Sequence, residues 1–175
     1  MNPNTESELP RRRSIRLPDW DYSNPGAYFI TICTYQKKNL FDNDQFREIA
    51  ENTWRLIPNQ SHSRHVELHE WVLMPNHLHG ILVLNERENL ADDDPLEITR
   101  SGSIPSIIGN FKSLVTRRIN NVRHTPGERV WQRGYYERII RNGREYDAIR
   151  AYVIANPMNW DEDPENPHSK IDHMP

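Results

Sequence analysis

Two short spacings in this 175-residue chain could hold reactive chemistry. His77 and His79 stand two residues apart in Asn76-His77-Leu78-His79-Gly80-Ile81-Leu82-Val83-Leu84. On a strand, side chains alternate, so both imidazoles would project from one face while Leu78, Leu82 and Leu84 project from the other. Two neutral imidazoles so placed can share one divalent ion. Tyr152 and Asn156 stand four residues apart, which puts one above the other on a helix. A tyrosine there can act as a nucleophile, and an amide oxygen one turn later can complete a metal shell. Each pair taken alone also fits a plain structural part. A His-x-His need not bind metal, and a core tyrosine before a helix-ending Asn-Pro needs no chemistry. Tyr28, Tyr135, Tyr136 and Tyr146 compete for the nucleophile's role, and the strand phenols of Tyr135 and Tyr136 could instead stack on bases. His62, His65 and His69 do not continue the alternation and take no role.

The positioning elements follow from periodicity and punctuation. Ala27 to Tyr35 is rich in aromatic and β-branched residues and reads as a strand. Asp42 or Asp44 can cap a helix whose apolar positions Phe46, Ile49, Ala50, Thr53, Trp54 and Ile57 follow three-four spacing, ended by Pro58. His65 to Leu73 and His77 to Leu84 read as strands around a Met74-Pro75-Asn76 turn. Glu86 to Ser103 is a polar loop. A second helix carries Ile104, Ile107, Ile108, Phe111, Leu114, Val115, Ile119 and Val122 along one stripe. Trp131 to Ile140 is a fourth strand, and Asn142 caps a third helix that Pro157 stops near Asn156. The order βαββαβ plus a C-terminal helix is α+β and ferredoxin-like. It predicts an antiparallel sheet with helices on one face and the other face open to a ligand.

Composition bounds the function. No apolar run approaches the roughly 18 residues of a membrane helix, and the start of the chain lacks the apolar stretch of a signal peptide. Cys33, the single cysteine, cannot form an internal disulfide, which fits the cytoplasm. Net charge is −3, but its distribution is uneven. Residues 101–150 hold ten Lys/Arg against four acids, and Arg11, Arg12, Arg13 and Arg16 make the N-terminal arm basic. After Trp160 come five acids against Lys170 alone. Phosphate binding depends on the local field rather than the total, so Arg11, Arg12, Arg13, Arg16, Lys112, Arg117, Arg133 and Arg141 are candidate DNA contacts. The expected organisation is a basic arm over 1–24, a catalytic domain over 25–160 and an acidic, Pro-rich tail over 161–175.

Several stretches occur together and in order. They are Pro25-Gly26-Ala27-Tyr28-Phe29-Ile30-Thr31-Ile32-Cys33-Thr34, Trp71-Val72-Leu73-Met74-Pro75-Asn76-His77-Leu78-His79-Gly80-Ile81 and Phe111-Lys112-Ser113. Trp131-Gln132-Arg133-Gly134-Tyr135-Tyr136-Glu137 and Tyr152-Val153-Ile154-Ala155-Asn156-Pro157 follow. This set resembles the REP-associated tyrosine transposases, bacterial single-tyrosine enzymes with a His-hydrophobic-His motif, akin to the transposases of the smallest insertion sequences. The similarity runs from about Arg11 to Trp160. It implies an endonuclease and strand transferase acting on single-stranded DNA with imperfect hairpins, the REP-like palindromes. His77 and His79 would be metal ligands, Tyr152 the nucleophile and the C-terminal helix the catalytic one. The insertion-sequence relatives place a Gln four residues after the Tyr, where this chain has Asn156, as REP-associated members do. The resemblance also implies a covalent 5′-phosphotyrosine with a free 3′-OH and Mg²⁺ or Mn²⁺ as cofactor. A nucleoid-associated monomer or homodimer is expected. Two His ligands would also suit Zn²⁺. Two other classes stay open on the residues alone: a metal-dependent hydrolase without a covalent intermediate, and a non-catalytic ferredoxin-like nucleic-acid-binding module.

Overall fold

A strongly apolar, β-branched segment, Gly26–Cys33, forms β1 at the centre of a four-stranded sheet. The computed structural model describes residues 20–86, 102–163 and 166. Most of the basic arm, most of the polar loop after Glu86 and most of the acidic tail lie outside the described residues. Around β1 lie β2 (Val66–Leu73), β3 (His77–Leu84) and β4 (Tyr136–Ile140), in the order β2-β3-β1-β4. Every neighbouring pair is antiparallel, as the ferredoxin-like order requires. The sheet is α+β in setting, with helices α1 (Asp44–Arg55), α2 (Ile104–Arg123) and α3 (Gly143–Ala155).

Alternation along the strands decides which helix each face receives. Tyr28, Ile30, Ile32, Leu78, Leu82 and Leu84 join Trp54 of α1 and Ile107, Phe111 and Val115 of α2 in the larger core. Trp54 meets Phe111 edge-on at 5.1 Å and lies over Gly80, where an added Cβ would come within 2.6 Å of the indole. Phe29, Ile81 and Ile140 form a smaller apolar cluster on the opposite face with Val153, and Tyr146 and Ile149 of α3 pack against it. The second face, which the sequence suggests is open, is therefore covered in part by the C-terminal helix. Its apolar residues would otherwise face water.

Two local departures have clear causes. The strand expected over 131–140 begins at Tyr136, because the carbonyls of Gln132, Arg133 and Gly134 accept from the Lys112 ammonium instead of from a neighbouring strand. Trp131 keeps one bridge to Thr34 and packs between Phe41 and Phe111. In β2 a bulge lies between Leu68 and Trp71. The displaced residues tie α3 down: Glu70 accepts from Arg150, and His69 pairs with the Tyr146 hydroxyl. Helix α1 is capped by Asn43, not Asp42 or Asp44, through its side-chain oxygen and the Phe46 amide. Asn142 caps α3 as its sequence predicts, accepting from the Glu145 amide.

Candidate active site

The floor of the site is one row of side chains crossing three strands. Thr31 on β1 pairs with His79 on β3 and with Tyr136 on β4, so these residues share the face that α3 partly covers. His77 and His79 are both buried there, with ring centroids 4.5 Å apart. Phe29 stacks on His79 at 5.4 Å and fixes its ring plane.

Hydrogen bonds set which imidazole nitrogens are available. Asn76 donates from Nδ2 to the Lys37 carbonyl at 3.1 Å, which leaves its oxygen facing His77 Nδ1 at 2.8 Å. An amide oxygen can only accept, so Nδ1 of His77 carries a proton, and in the neutral ring Nε2 carries the lone pair. His79 Nδ1 lies 2.8 Å from Thr31 Oγ1, the equivalent position. A ligand histidine held in this way, with its far nitrogen bound to an oxygen, has its ring orientation chosen in advance. His77 Nε2 points at Asp163, whose carboxylate oxygen is 3.8 Å away. One donor atom each from His77, His79 and Asp163 lies within 4.8 Å of the others. This is a compact N,N,O set of the kind that holds a divalent ion.

The third helix brings the reactive hydroxyl. Its cap at Asn142 and its end before Pro157 leave Tyr152 and Asn156 one turn apart, facing the sheet. Tyr152 Oη is 3.2 Å from His79 Nε2, with the rings 5.2 Å apart. Tyr152 is 46 % exposed, so a substrate can reach its oxygen while the histidines stay buried. The chain then turns through a 3-10 segment, Asn156–Glu162, that lays Trp160 against His77 at 5.9 Å and delivers Asp163. Asn156 donates from Nδ2 to Asp163 at 3.1 Å, while its own oxygen is buried with no hydrogen-bond partner among the described residues.

Burial dominates the electrostatics. It pushes the pKa of His79 down from 6.5 to about 3, and the neighbouring His77 pushes the same way. His79 is therefore neutral near pH 7, the state in which an imidazole ligates metal.

The chain resembles known proteins in sequence and in fold. No protein-family model matches the chain. An uncharacterized protein of Haemophilus influenzae is 36% identical over 168 residues, covering 87% of this chain and 91% of that protein. A REP-associated tyrosine transposase of Escherichia coli is 24% identical over 138 residues, 78% of this chain and 69% of its own length. A solved structure of a REP-associated tyrosine transposase bound to a REP hairpin shares the fold, with a TM-score of 0.57 and 21% identity. It covers 82% of this chain and 76% of that one. The chain is thus similar to REP-associated tyrosine transposases in sequence and in fold.

Within this fold the sequence-derived residues separate. His77, His79, Tyr152 and Asn156 converge on one point. Asp163, which by composition belongs to the acidic tail, is buried among them. Nothing in composition distinguishes it from the four other acids after Trp160. Asn76, read as a turn residue, and Thr31 hold the imidazoles, and neither carries a signal of that role in sequence. Arg11, Arg12, Arg13 and Arg16 lie outside the described residues. Lys112 is engaged by three main-chain carbonyls, and its burial lowers its pKa. Arg117 and Arg133 line a groove of about 850 Å³ between α2 and the segment before β4, on the side of the larger core. Arg141 is exposed at the start of α3, beside β4. Among the described residues no helix is long and apolar enough to cross a membrane.

Proposed function

We propose that this protein is a divalent-metal-dependent single-stranded DNA endonuclease and strand transferase that acts on hairpin-bearing DNA through a covalent 5′-phosphotyrosine at Tyr152. The observation that carries the reading is the hydroxyl of Tyr152 standing 3.2 Å from a nitrogen of the His77–His79–Asp163 donor set. A nucleophile and a place for a cation thus adjoin.

The donor set fits a divalent ion on its own chemistry: two imidazoles held by oxygen partners, one buried carboxylate, and the Asn156 oxygen in reserve. His77, His79 and Asp163 would hold the ion, with Asn156 orienting Asp163. Family resemblance implies Mg²⁺ or Mn²⁺, and a mixed nitrogen and oxygen shell accommodates a divalent ion of this kind. A bound ion supplies Lewis acidity toward a phosphate oxygen and positive charge that favours the phenolate.

The chain's own residues do the rest. The α3 backbone, pinned to β2 by Glu70 and His69, holds Tyr152 above the sheet so that its oxygen meets the phosphorus. The phenol gives up its proton, Tyr152 Oη bonds to phosphorus, and the bond from phosphorus to the 3′ oxygen breaks. The departing oxygen takes up a proton to become a free 3′-OH. One phosphodiester bond replaces another, so the step reverses and joins strands without ATP.

The test is incubation of the protein with labelled, hairpin-bearing single-stranded DNA from the flanks of its own gene, in Mg²⁺ or Mn²⁺. The expected result is a protein–DNA adduct that survives SDS and is absent in EDTA. Cleavage without an adduct would make the protein a hydrolase. Metal-independent binding without cleavage would make it a binding module.

A further inference from the structure

We propose that Tyr136 and the cleft along the β4 edge form the subsite for the nucleotide next to the scissile phosphate, Tyr136 stacking on its base and Arg141 and Arg144 contacting the phosphate beyond. This rests on the reading of Tyr152 as nucleophile.

Tyr136 occupies a place that packing does not explain. It shares the His79–Thr31 row and meets Phe29 edge-on at 6.3 Å, as Tyr152 does at 6.2 Å from the other side. Its neighbour Glu137, on the opposite face of the same strand, is buried, yet Tyr136 is 36 % exposed. Its hydroxyl has no hydrogen bond among the described residues. The ring therefore stands upright on the sheet, two strands from His79, or about 10 Å. That is within reach of a base whose own phosphate lies at Tyr152. An exposed aromatic on a sheet face is the usual stacking platform for an unpaired base.

The cleft beside it continues the path. It encloses about 620 Å³ between β4 and the start of α3, and Tyr136, Arg138, Arg141 and Arg144 line it together with the carboxylates Glu137 and Glu145. Arg138 is committed to Glu145, and the same carboxylate accepts from the Arg141 main-chain amide. The guanidiniums of Arg141 and Arg144 form no salt bridge among the described residues, although Arg141 lies in the field of Glu145, and both side chains are exposed. A π-face followed by two uncommitted guanidiniums, beginning one ring from the nucleophile, fits a single strand leaving the site across the β4 edge. A folded protein partner would more commonly meet a continuous apolar patch, whereas Arg138, Arg141, Asn142, Arg144 and Glu145 make much of this lining polar.

The experiment uses the full chain carrying Tyr152→Phe, which binds without cutting. Its ligand is a hairpin oligonucleotide with single-stranded flanks, taken from the DNA beside the gene. Affinity is read by fluorescence anisotropy in Mg²⁺, and an abasic nucleotide is then moved through the flanks one position at a time. Adding Tyr136→Ala should raise Kd about tenfold, whereas Tyr136→Phe and Tyr136→Trp should bind like the parent. One abasic position should weaken the parent by a similar factor and leave the Tyr136→Ala protein unaffected. That position should adjoin the cleavage point mapped with wild-type protein. Tyr136→Leu keeps apolar bulk in case Ala disturbs Phe29; a Leu variant that melts normally and binds like the parent overturns the stacking. So do abasic losses that add to Tyr136→Ala at every position, or a sensitive nucleotide remote from the cut. Replacing Arg141 and Arg144 by Ala should lower the slope of log Kd against log[salt] by about 0.7 per lost phosphate contact, and an unchanged slope overturns that half. Failure of the nuclease reading shows separately, as wild-type protein that forms no adduct.

Discussion

Asp163→Asn should weaken divalent-ion binding by about 100-fold while leaving the fold intact. The substitution keeps the shape of the side chain and removes one negative charge from a buried position. The carboxylate oxygen lies 3.8 Å from His77 Nε2, inside a donor set no wider than 4.8 Å. Unit charges about 4 Å apart interact by about 4 kcal/mol at an effective permittivity near 20. A divalent ion doubles that figure, and desolvation of the carboxylate offsets more than half of it. On the order of 3 kcal/mol remains, or roughly two decades in Kd. Calorimetric titration with Mn²⁺ measures this directly. Adduct formation as a function of Mn²⁺ should show the same displacement, with the wild-type rate recovered at saturating metal. Comparable melting of the two metal-free proteins would show that packing is preserved. An Asp163→Asn variant that binds Mn²⁺ within about threefold of wild type would refute Asp163 as a ligand and leave it as a hydrogen-bond acceptor for Asn156.

Four further outcomes follow from the same geometry. Tyr152→Phe should abolish the SDS-resistant adduct with melting and DNA affinity nearly unchanged, because it removes one exposed oxygen and keeps the ring on Phe29; an adduct from that variant would move the nucleophile elsewhere. His79→Ala should eliminate cleavage at any practical metal concentration, whereas Asn156→Ala should slow it mildly, since water can replace an amide oxygen; equal losses in a cleavage time course would contradict their ranking. In metal-free protein, His79 resists protonation when folded, so the unfolded chain binds the extra proton. Stability present above pH 6.5 should then fall toward about pH 3, by about 1.4 kcal/mol per pH unit from this group, and urea midpoints should show a shallower fall in His79→Gln. Gly80→Ala should cost about 1–3 kcal/mol and several degrees of Tm, because its Cβ would strike the Trp54 indole at 2.6 Å in a core with no slack.

The parts legible in sequence are those written in neighbouring residues. The alternation of His77, Leu78, His79 and Gly80 against a partner strand determines that both imidazoles share a face, and β3 runs over His77–Leu84 as that alternation requires. The Asn142 cap, the Pro157 stop and the four-residue spacing between Tyr152 and Asn156 determine the third helix and what it presents. What decides the site beyond that is long-range. Tyr152 and His79 are separated by 73 positions, and their contact exists because α3 crosses back over the second sheet face, drawn there by Phe29, Ile81, Ile140 and Val153. Which face a final helix covers is not contained in its own periodicity. Asp163 is the sharpest case. Its surroundings are acidic and rich in proline, so a local average reads it as solvated tail. A short 3-10 turn after Pro157 nevertheless buries its carboxylate against His77 and Asn156. Asn76 and Thr31 likewise gain their roles from strand register and from one contact to the Lys37 carbonyl. Periodicity is a property of a segment, and a binding site is a property of where several segments end up. The burial of apolar surface decides that for the whole chain at once.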